Sequence, residues 1–329
     1  MKAIVHHKYG SPDVLKCEEI EKPTAGDDEV LIRVRAASVN PLDWHFMRGT
    51  PYLVRILTGL SKPKNTRLGR DLAGQVEAVG RNVTQFQPGD EVFGASGGAF
   101  AEYVCALEKA LAPKPANLTF EQAAAVPVAG AFTALQGLRD KGRIQPGQKV
   151  LINGAAGGVG TFAVQIAKAF GATVTGVCST RNVDMVRSIG ADHVIDYTQE
   201  DFTRRGQRYD LILDCAGNRS LSACRRVMSP GGTCVLVGGP DLGRWIGPLI
   251  APLKALLLSR CVSQKLLMFL ASANKEDLLV LKELIEAKKV TPVIDRCYTL
   301  REVPEAVRYL EEGHARGKVV ITLEHNDKT

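Results

Sequence analysis

The apolar positions change period along the chain. Over the first 110 residues they fall in short runs, VLIRVRAASV (30–39), GQVEAVG (74–80), GDEVFGA (89–95) and FAEYVCA (100–106), divided by Gly, Pro and Asp. Runs of that length, broken by turn formers, predict β-strands. From about 121 the spacing turns helical in FEQAAAVPVAGAFTALQGL, despite Pro127. Strand-like and helix-like stretches then alternate: KVLING, a helix at 158–170, TVTGVCS, a helix near 182–189, HVID, YDLILDCAG, a helix near 219–228, and GTCVLVGG. That alternation predicts a parallel sheet with helices on both faces. A helix over 275–288 follows, then TPVIDRCYTL and KVVITL around one more helix. The expected fold class is α/β, a doubly wound parallel sheet inserted in a β-rich domain. Residues 1–120 and 289–329 would form the β-rich domain and 121–288 the inserted one.

Composition narrows the function. The 329 residues are 45% apolar and 23% charged, as in ordinary globular proteins. The formal charge is +7, but the 42 Lys and Arg are scattered among 35 acids with no block of five or six like charges. That argues against a nucleic-acid partner and fits a basic cleft for an anionic cofactor. The eight cysteines include no C-x-x-C pair, and Cys178, Cys215 and Cys234 lie in apolar runs. This usage points to a reducing compartment, and a cytoplasmic location is expected. The N-terminus, MKAIVHHKYG, alternates like a strand and lacks the pattern of a signal peptide. The apolar stretch 245–271 contains Lys254, Arg260, Lys265 and two prolines, which rules out an integral membrane helix. A buried or subunit-facing segment fits it better.

The chemistry centres on Gly154-Ala155-Ala156-Gly157-Gly158-Val159-Gly160, between a strand and a helix. In that context Gly157 lets the backbone approach a pyrophosphate and Gly160 lets the helix pack closely on the strand. The helix N-terminus offers free N–H groups and a positive dipole end. Ala155 replaces the first glycine of the usual fingerprint, and the Gly-Lys-Ser/Thr ending of a nucleotide-triphosphate loop is missing. A plain tight strand–helix turn is the competing reading. The next strand ends Cys178-Ser179-Thr180-Arg181-Asn182, without the acid that would hold a ribose 2′-hydroxyl. Ser179, Arg181 and Asn182 can instead donate to a 2′-phosphate, which points to NADPH. A solvated surface arginine is the alternative for Arg181. Tyr197, after the third strand, could complete the pocket or simply pack. Gly238 and Gly239 end a strand at the carboxyl face of the sheet, where ligands of such folds bind.

Taken together, Gly147-Gln148, Leu151, Ala155-Ala156-Gly157-Gly158, Gly160, Gln165 and Lys168 resemble the signature of the quinone oxidoreductase/zeta-crystallin group of medium-chain dehydrogenases/reductases. Asn40-Pro41-Leu42-Asp43, Gly69-Arg70-Asp71-Leu72-Ala73-Gly74, Gly89-Asp90-Glu91-Val92, the run Pro127–Leu135, Gly190-Ala191-Asp192 and Gly317-Lys318-Val319-Val320 extend the resemblance over the whole chain. It implies a Rossmann domain inserted in a GroES-like catalytic domain, with the active site in the cleft between them. It implies hydride transfer from NADPH to quinones or to the activated C=C of α,β-unsaturated ketones. It also implies a homodimer joined through the Rossmann sheet edge, here Lys265–Ala271.

The resemblance carries residue roles. Asn40 would line the nicotinamide–substrate site, Thr133 would contact the cofactor near the nicotinamide, and Lys318 would lie near the cofactor. Ala155, Gly157, Gly158, Val159 and Cys215 complete the expected cofactor-binding set. Tyr52 would be the proton donor, although Gly49-Thr50-Pro51-Tyr52 is one residue longer than the family's segment. The zinc dehydrogenases of the superfamily need Cys and His where this chain has Asn40 and Arg70, so no metal is expected. Trp44, Phe46, Tyr52, Leu53, Ile56 and Leu57, with Trp245 and Ile246, would line an apolar pocket or belong to ordinary core. A 2-enoyl-thioester reductase and a non-catalytic, crystallin-like NADPH-binding protein remain as rival functions. Local sequence alone also allows Asn40 a turn role before Pro41.

Overall fold

A computed structural model of the chain describes residues 1–237 and 263–324. The chain forms two compact units. One comprises Met1–Ala129, Ser272–Glu286 and Pro292–Thr329, and the other Gly130–Ala271 with Ala287–Thr291.

The first unit begins with β1 (Lys2–Val5) and β2 (Lys16–Glu19), an antiparallel pair. Then come β3 (Glu29–Val39), α1 (Pro41–Arg48), α2 (Val54–Thr58), β4 (Asp71–Val79), β5 (Glu91–Ala95), β6 (Tyr103–Leu107), β7 (Leu111–Pro113) and α3 (Phe120–Ala124). The second unit contains α4 (Thr133–Gln136), β8 (Lys149–Asn153), α5 (Gly160–Ala169), β9 (Thr173–Cys178), α6 (Val183–Ser188), β10 (His193–Asp196), β11 (Tyr209–Asp214), α7 (Leu221–Arg226), β12 (Met228–Leu236) and β13 (Lys265–Met268). The chain then returns to the first unit with α8 (Lys275–Glu286), β14 (Ile294–Thr299), α9 (Val303–Glu311) and β15 (Lys318–Thr322).

The second unit has a six-stranded sheet in the order β10-β9-β8-β11-β12-β13, parallel throughout. Its central strands are buried almost end to end; after Lys149, every residue of β8 is buried. Continuous apolar strands of this kind mark a sheet covered on both faces. α5 is buried from Gly160 to Ala167, as its apolar run requires. The order reverses between β8 and β11, where a doubly wound sheet opens a crevice at its carboxyl edge.

The first unit has a seven-stranded sheet, β14-β15-β3-β4-β5-β7 with β6 also pairing β3. All its pairings are antiparallel except β14 with β15. Its core joins β3, β4 and β15 to α1 and α9 through residues such as Ile32, Met47, Leu72, Val307 and Val319.

The helical run from 120 is broken by its own sequence. Residues Pro127–Phe132 and Gly137–Lys141 are wider, π-helical turns on either side of α4. Pro127 lacks the N–H that a regular turn would use, which accounts for the break there. α8, expected within the inserted domain, groups with the first unit. Its apolar face buries Leu278, Leu281 and Ile285, Asn117 Nδ2 donates to Ile285 O (2.9 Å), and the Lys275 ammonium lies over the Phe86 ring.

Candidate active site

In the first unit, Asn40, Asp71 and Lys318 join side chain to side chain, with Asp43 beside them on the Asn40 N–H, and all four are at least 96% buried. Asn40 follows β3 and caps α1, Asp43 lies in the first turn of α1, Asp71 opens β4 and Lys318 opens β15. Asn40 Nδ2 donates to Asp71 Oδ2 (3.0 Å) and to Ser38 O (3.1 Å). Lys318 Nζ donates to Asn40 Oδ1 (2.5 Å) and lies 3.5 Å from Asp71 Oδ2. Ser38 Oγ donates to the same carboxylate oxygen at 3.2 Å. Both amide hydrogens of Asn40 are therefore committed, and the lysine fixes which amide atom is oxygen. Pro41 at the first helical position and Asp43 reaching back to the Asn40 N–H (2.8 Å) set the turn that aims Asn40 inward.

Asp43 also accepts from Gly69 N–H at 3.1 Å, joining α1 to the loop before β4. Burial raises its carboxyl to about 7, helped by the nearby Asp71 charge and opposed by its two N–H bonds and Lys318. Burial likewise lowers Lys318, against the pull of Asp71 and Asp43.

Tyr52 lies in the turn between α1 and α2, half-buried, with the Arg55 guanidinium 4.8 Å from its ring centroid. Trp44 and Phe46 pack against the core, whereas Leu53 and Ile56 are exposed.

The expected cofactor residues sit in the second unit. β8 passes into a tight turn at Gly154, whose φ of +83° suits only glycine. Gly154 and Ala155 both donate to Val177 O of β9, at 3.2 and 3.0 Å, so the turn is tied to the neighbouring strand. A Cβ on Gly160 would meet Gly154 O at 2.1 Å, because α5 starts directly on the turn. A Cβ on Gly157 would meet only Gly154 O, at 3.5 Å. Ala155 is buried, while Gly157, Gly158 and Val159 are partly open. These residues fit a pyrophosphate at the head of α5, where the first N–H groups lack intrahelical acceptors. Thr133 opens α4 and is half-buried.

Ser179–Asn182 forms a short turn after β9 in which Arg181 is exposed and Asn182 buried. Asn182 Nδ2 is turned onto Ser179 Oγ (3.1 Å). Tyr197, 48% exposed, is held at this edge by its N–H to Cys178 O. Asp196, which sequence reasoning missed, shares the edge. Its two oxygens accept from Thr180 Oγ1, Thr198 N, Thr198 Oγ1 and Gln199 Nε2, a full complement. The other missed carboxylate is Asp214 at the end of β11, which accepts from Asn153 Nδ2 (2.8 Å), Ala216 N and Gly217 N and is pushed up by burial. Cys215 follows it, its N–H bonded to Asn153 O and its thiol pushed up by burial. Gly238, Gly239, Trp245 and Ile246 lie outside the described residues.

A family model described as "Alcohol dehydrogenase GroES-like domain" matches residues 26–116, and one described as "Zinc-binding dehydrogenase" matches 189–321. The 2-methylene-furan-3-one reductase of Solanum lycopersicum is 35% identical, over 98% of this chain and 79% of its own. A chloroplastic NADPH-dependent alkenal/one oxidoreductase of Arabidopsis thaliana is also 35% identical with the same coverage. The quinone oxidoreductase of Coxiella burnetii superposes with a TM-score of 0.87 at 32% identity, over 98% of this chain and 99% of that one. The chain belongs to the medium-chain dehydrogenases/reductases of the quinone oxidoreductase type. It is an oxidoreductase enzyme with a nicotinamide-cofactor fold.

The zinc in one model's description does not fit this oxidoreductase's residues. Among the described residues, no group of three or more His, Cys, Asp or Glu could hold a metal. The buried set offers two carboxylates and a carboxamide around an ammonium, which competes with any cation.

Two outcomes test this geometry. Gly160→Ala should cost about 1–3 kcal/mol or more in chemical denaturation, since the clash is with backbone, whereas Gly157→Ala should stay within about 0.5 kcal/mol. Equal losses would contradict the packing described. The second concerns Asp43. Its folded value lies above its ordinary 3.8, so the fold holds a proton that the unfolded chain releases. Stability should therefore fall as pH rises from about 4 to about 7, by about 2–3 kcal/mol between pH 5 and 8 from this group. Asp43→Asn should flatten that slope relative to the parent protein, whatever its absolute stability; parallel slopes would reject the assignment.

Proposed function

We propose that the protein is an NADPH-dependent, zinc-independent oxidoreductase that transfers hydride to quinones or to the activated C=C of α,β-unsaturated ketones. The glycine turn at the head of α5 carries the reading, because it leaves the backbone at Gly157 open to a pyrophosphate while packing α5 on β8. The preference for NADPH rests on the edge after β9. Ser179 and Arg181 offer donors for a 2′-phosphate, and Asp196, with all its acceptor positions filled, has none left for a ribose diol. The name of the Arabidopsis relative points the same way.

Bound NADPH would supply the hydride. The chain's own residues bind and orient it through Ala155, Gly157, Gly158, Val159, Ser179 and Arg181, with Asn182 and Tyr197 shaping the phosphate edge and Thr133, Cys215, Gly238 and Gly239 the rest of the site. Asn40 and Lys318 hold each other in the buried network, and the second lone pair of Asn40 Oδ1 remains to accept one donor. Asn40 and Arg70 stand where the superfamily's zinc enzymes need Cys and His, so acceptors that are already activated are the fitting substrates. A quinone draws its protons from water, and Tyr52 would serve where a side-chain donor is needed.

The same reading makes the protein a cytoplasmic homodimer through the edge strand β13. Its seven described cysteines are free, which suits a reducing compartment. Met268 and Leu270 are exposed beside that edge, 41% and 95% accessible, and among the described residues β13 pairs only with β12.

Purified protein should oxidise NADPH with 9,10-phenanthrenequinone and with an enone, and use NADH poorly. Arg181→Ala should raise the KM for NADPH roughly 10- to 100-fold, the worth of a charge-assisted hydrogen bond. Equal use of NADH would refute the phosphate edge, and tight NADPH binding without turnover would favour the thioester or non-catalytic reading. In sedimentation, Leu270→Glu should shift a dimer to monomer; an unchanged dimer would move the interface elsewhere.

A further inference from the structure

We propose that the Thr180 hydroxyl sets the choice of cofactor: by occupying Asp196 Oδ2 it keeps that carboxylate from a ribose diol and holds the Ser179–Arg181 turn for a 2′-phosphate. The inference rests on the NADPH reading above and names the group that enforces it. Every residue in it belongs to the second unit. An NAD-type site places an acid at the end of the strand after the glycine turn and its helix, to hold the ribose hydroxyls. Here that strand is β9, and it ends in Cys178. The neighbouring strand brings an acid to the same height. Asp196 closes β10 and pairs in register with Cys178. Adjacent strands lie about 4.8 Å apart, and Tyr197 N–H donates to Cys178 O at 3.0 Å, which keeps the two strand ends together. Asp196 therefore stands one strand from the usual position, beside the turn that replaces the acid. Left open, its carboxylate would accept from a ribose hydroxyl as the usual acid does.

It is not left open. Oδ1 accepts from Thr198 N–H (2.9 Å) and Thr198 Oγ1 (2.8 Å), and Oδ2 accepts from Gln199 Nε2 (3.2 Å) and Thr180 Oγ1 (2.6 Å). Of these four donors, three come from residues just past Asp196, and the fourth, Thr180, comes from the turn after β9. The Thr180 and Thr198 hydroxyl oxygens lie 2.9 Å apart, so the two strand-end turns close over the carboxylate together. The Thr180 bond is the main cause that holds the Asp196 carboxyl below its ordinary value. The acid is ionised at neutral pH, and the bond to it is charge-assisted. Thr180 and Thr198 are both exposed, so this edge faces solvent, where a cofactor can reach it.

The same bond positions the phosphate donors. Thr180–Asn182 form one short helical turn capped by Ser179, and Asn182 N–H returns to Ser179 O at 2.9 Å. Thr180 sits between Ser179 and Arg181 and ties their turn to the end of β10. One hydroxyl thus acts on both cofactors. It denies Oδ2 to the free 2′-hydroxyl of NADH, and it orders the two donors that meet the 2′-phosphate of NADPH. Thr180 is a positioning residue, acting through Asp196 on one side and through Ser179 and Arg181 on the other.

The test compares the parent protein with Thr180→Val, which keeps the side-chain shape and removes the hydroxyl, and with Thr180→Ser, which keeps the hydroxyl. Titration by reduced-nicotinamide fluorescence gives Kd for NADPH and for NADH without any acceptor, and melting temperatures show that the variants fold. In Thr180→Val the ratio of the NADH Kd to the NADPH Kd should fall roughly 10- to 100-fold, the scale of one hydrogen bond to a charged group. NADPH should bind more weakly and NADH more tightly. Thr180→Ser should keep the parent's ratio. Adding Asp196→Ala to Thr180→Val should remove the gain in NADH affinity. An equal weakening of both cofactors in Thr180→Val, with the ratio unchanged, overturns the proposal. So does a loss in Thr180→Ser as large as in Thr180→Val, or an NADH gain that survives Asp196→Ala. A parent protein that binds NADH as tightly as NADPH refutes the NADPH reading by itself. The change in ratio from the parent to Thr180→Val then still decides what Thr180 does.

Discussion

The arrangement of the first unit depends on one buried charge, the carboxylate of Asp71. It accepts from Asn40 and Ser38 of the β3 end and faces Lys318 of β15. Those three contacts lock the central strands of the seven-stranded sheet to each other at the point where α1 begins. Burying an ion pair is not in itself stabilising, because desolvation opposes the Coulomb attraction. Here each member has further hydrogen bonds, and the result is a rigid polar centre in an otherwise apolar core. The network leaves Asn40 no spare donor.

The second unit depends on a different constraint, the closeness of α5 to β8. Gly160 over Gly154 O leaves no room for a side chain where α5 starts, and the two N–H groups given to Val177 O tie the turn to β9. That closeness aims the helix N-terminus at the carboxyl edge of the sheet, between the strands where the order reverses. Position and dipole together suit such a motif to an anion.

Much of this is legible in the order of the residues alone. The alternation after 149 predicts every strand of the parallel sheet from β8 to β12, because a doubly covered sheet forces continuous apolar runs. The glycine turn is readable because its steric demands are local. What is not local is harder to see. Asn40 and Lys318 stand out as candidates one at a time, but they are 278 residues apart, and only the fold makes them a bonded pair. Asp71 looks like one acid in a glycine-containing segment, and Asp196 like an ordinary strand-end residue. Asn182 reads as a donor to a phosphate, and in the fold its amide also donates to Ser179 Oγ, a contact that the sequence does not reveal. The helix at 275–286 carries an apolar face that does not say which unit it will cover, and it covers the first.

The first unit is assembled from three separated stretches of chain, and the last of them brings Lys318. On the ribosome, Asn40, Asp43 and Asp71 emerge long before that lysine, with the whole parallel sheet made in between. Until β15 arrives, β3 lacks one neighbour in its sheet and Asp71 lacks the ammonium of Lys318. The first unit therefore lacks a strand and a buried counter-charge until the chain is almost complete. Order of synthesis thus makes the polar centre one of the last parts of the first unit whose residues are all present.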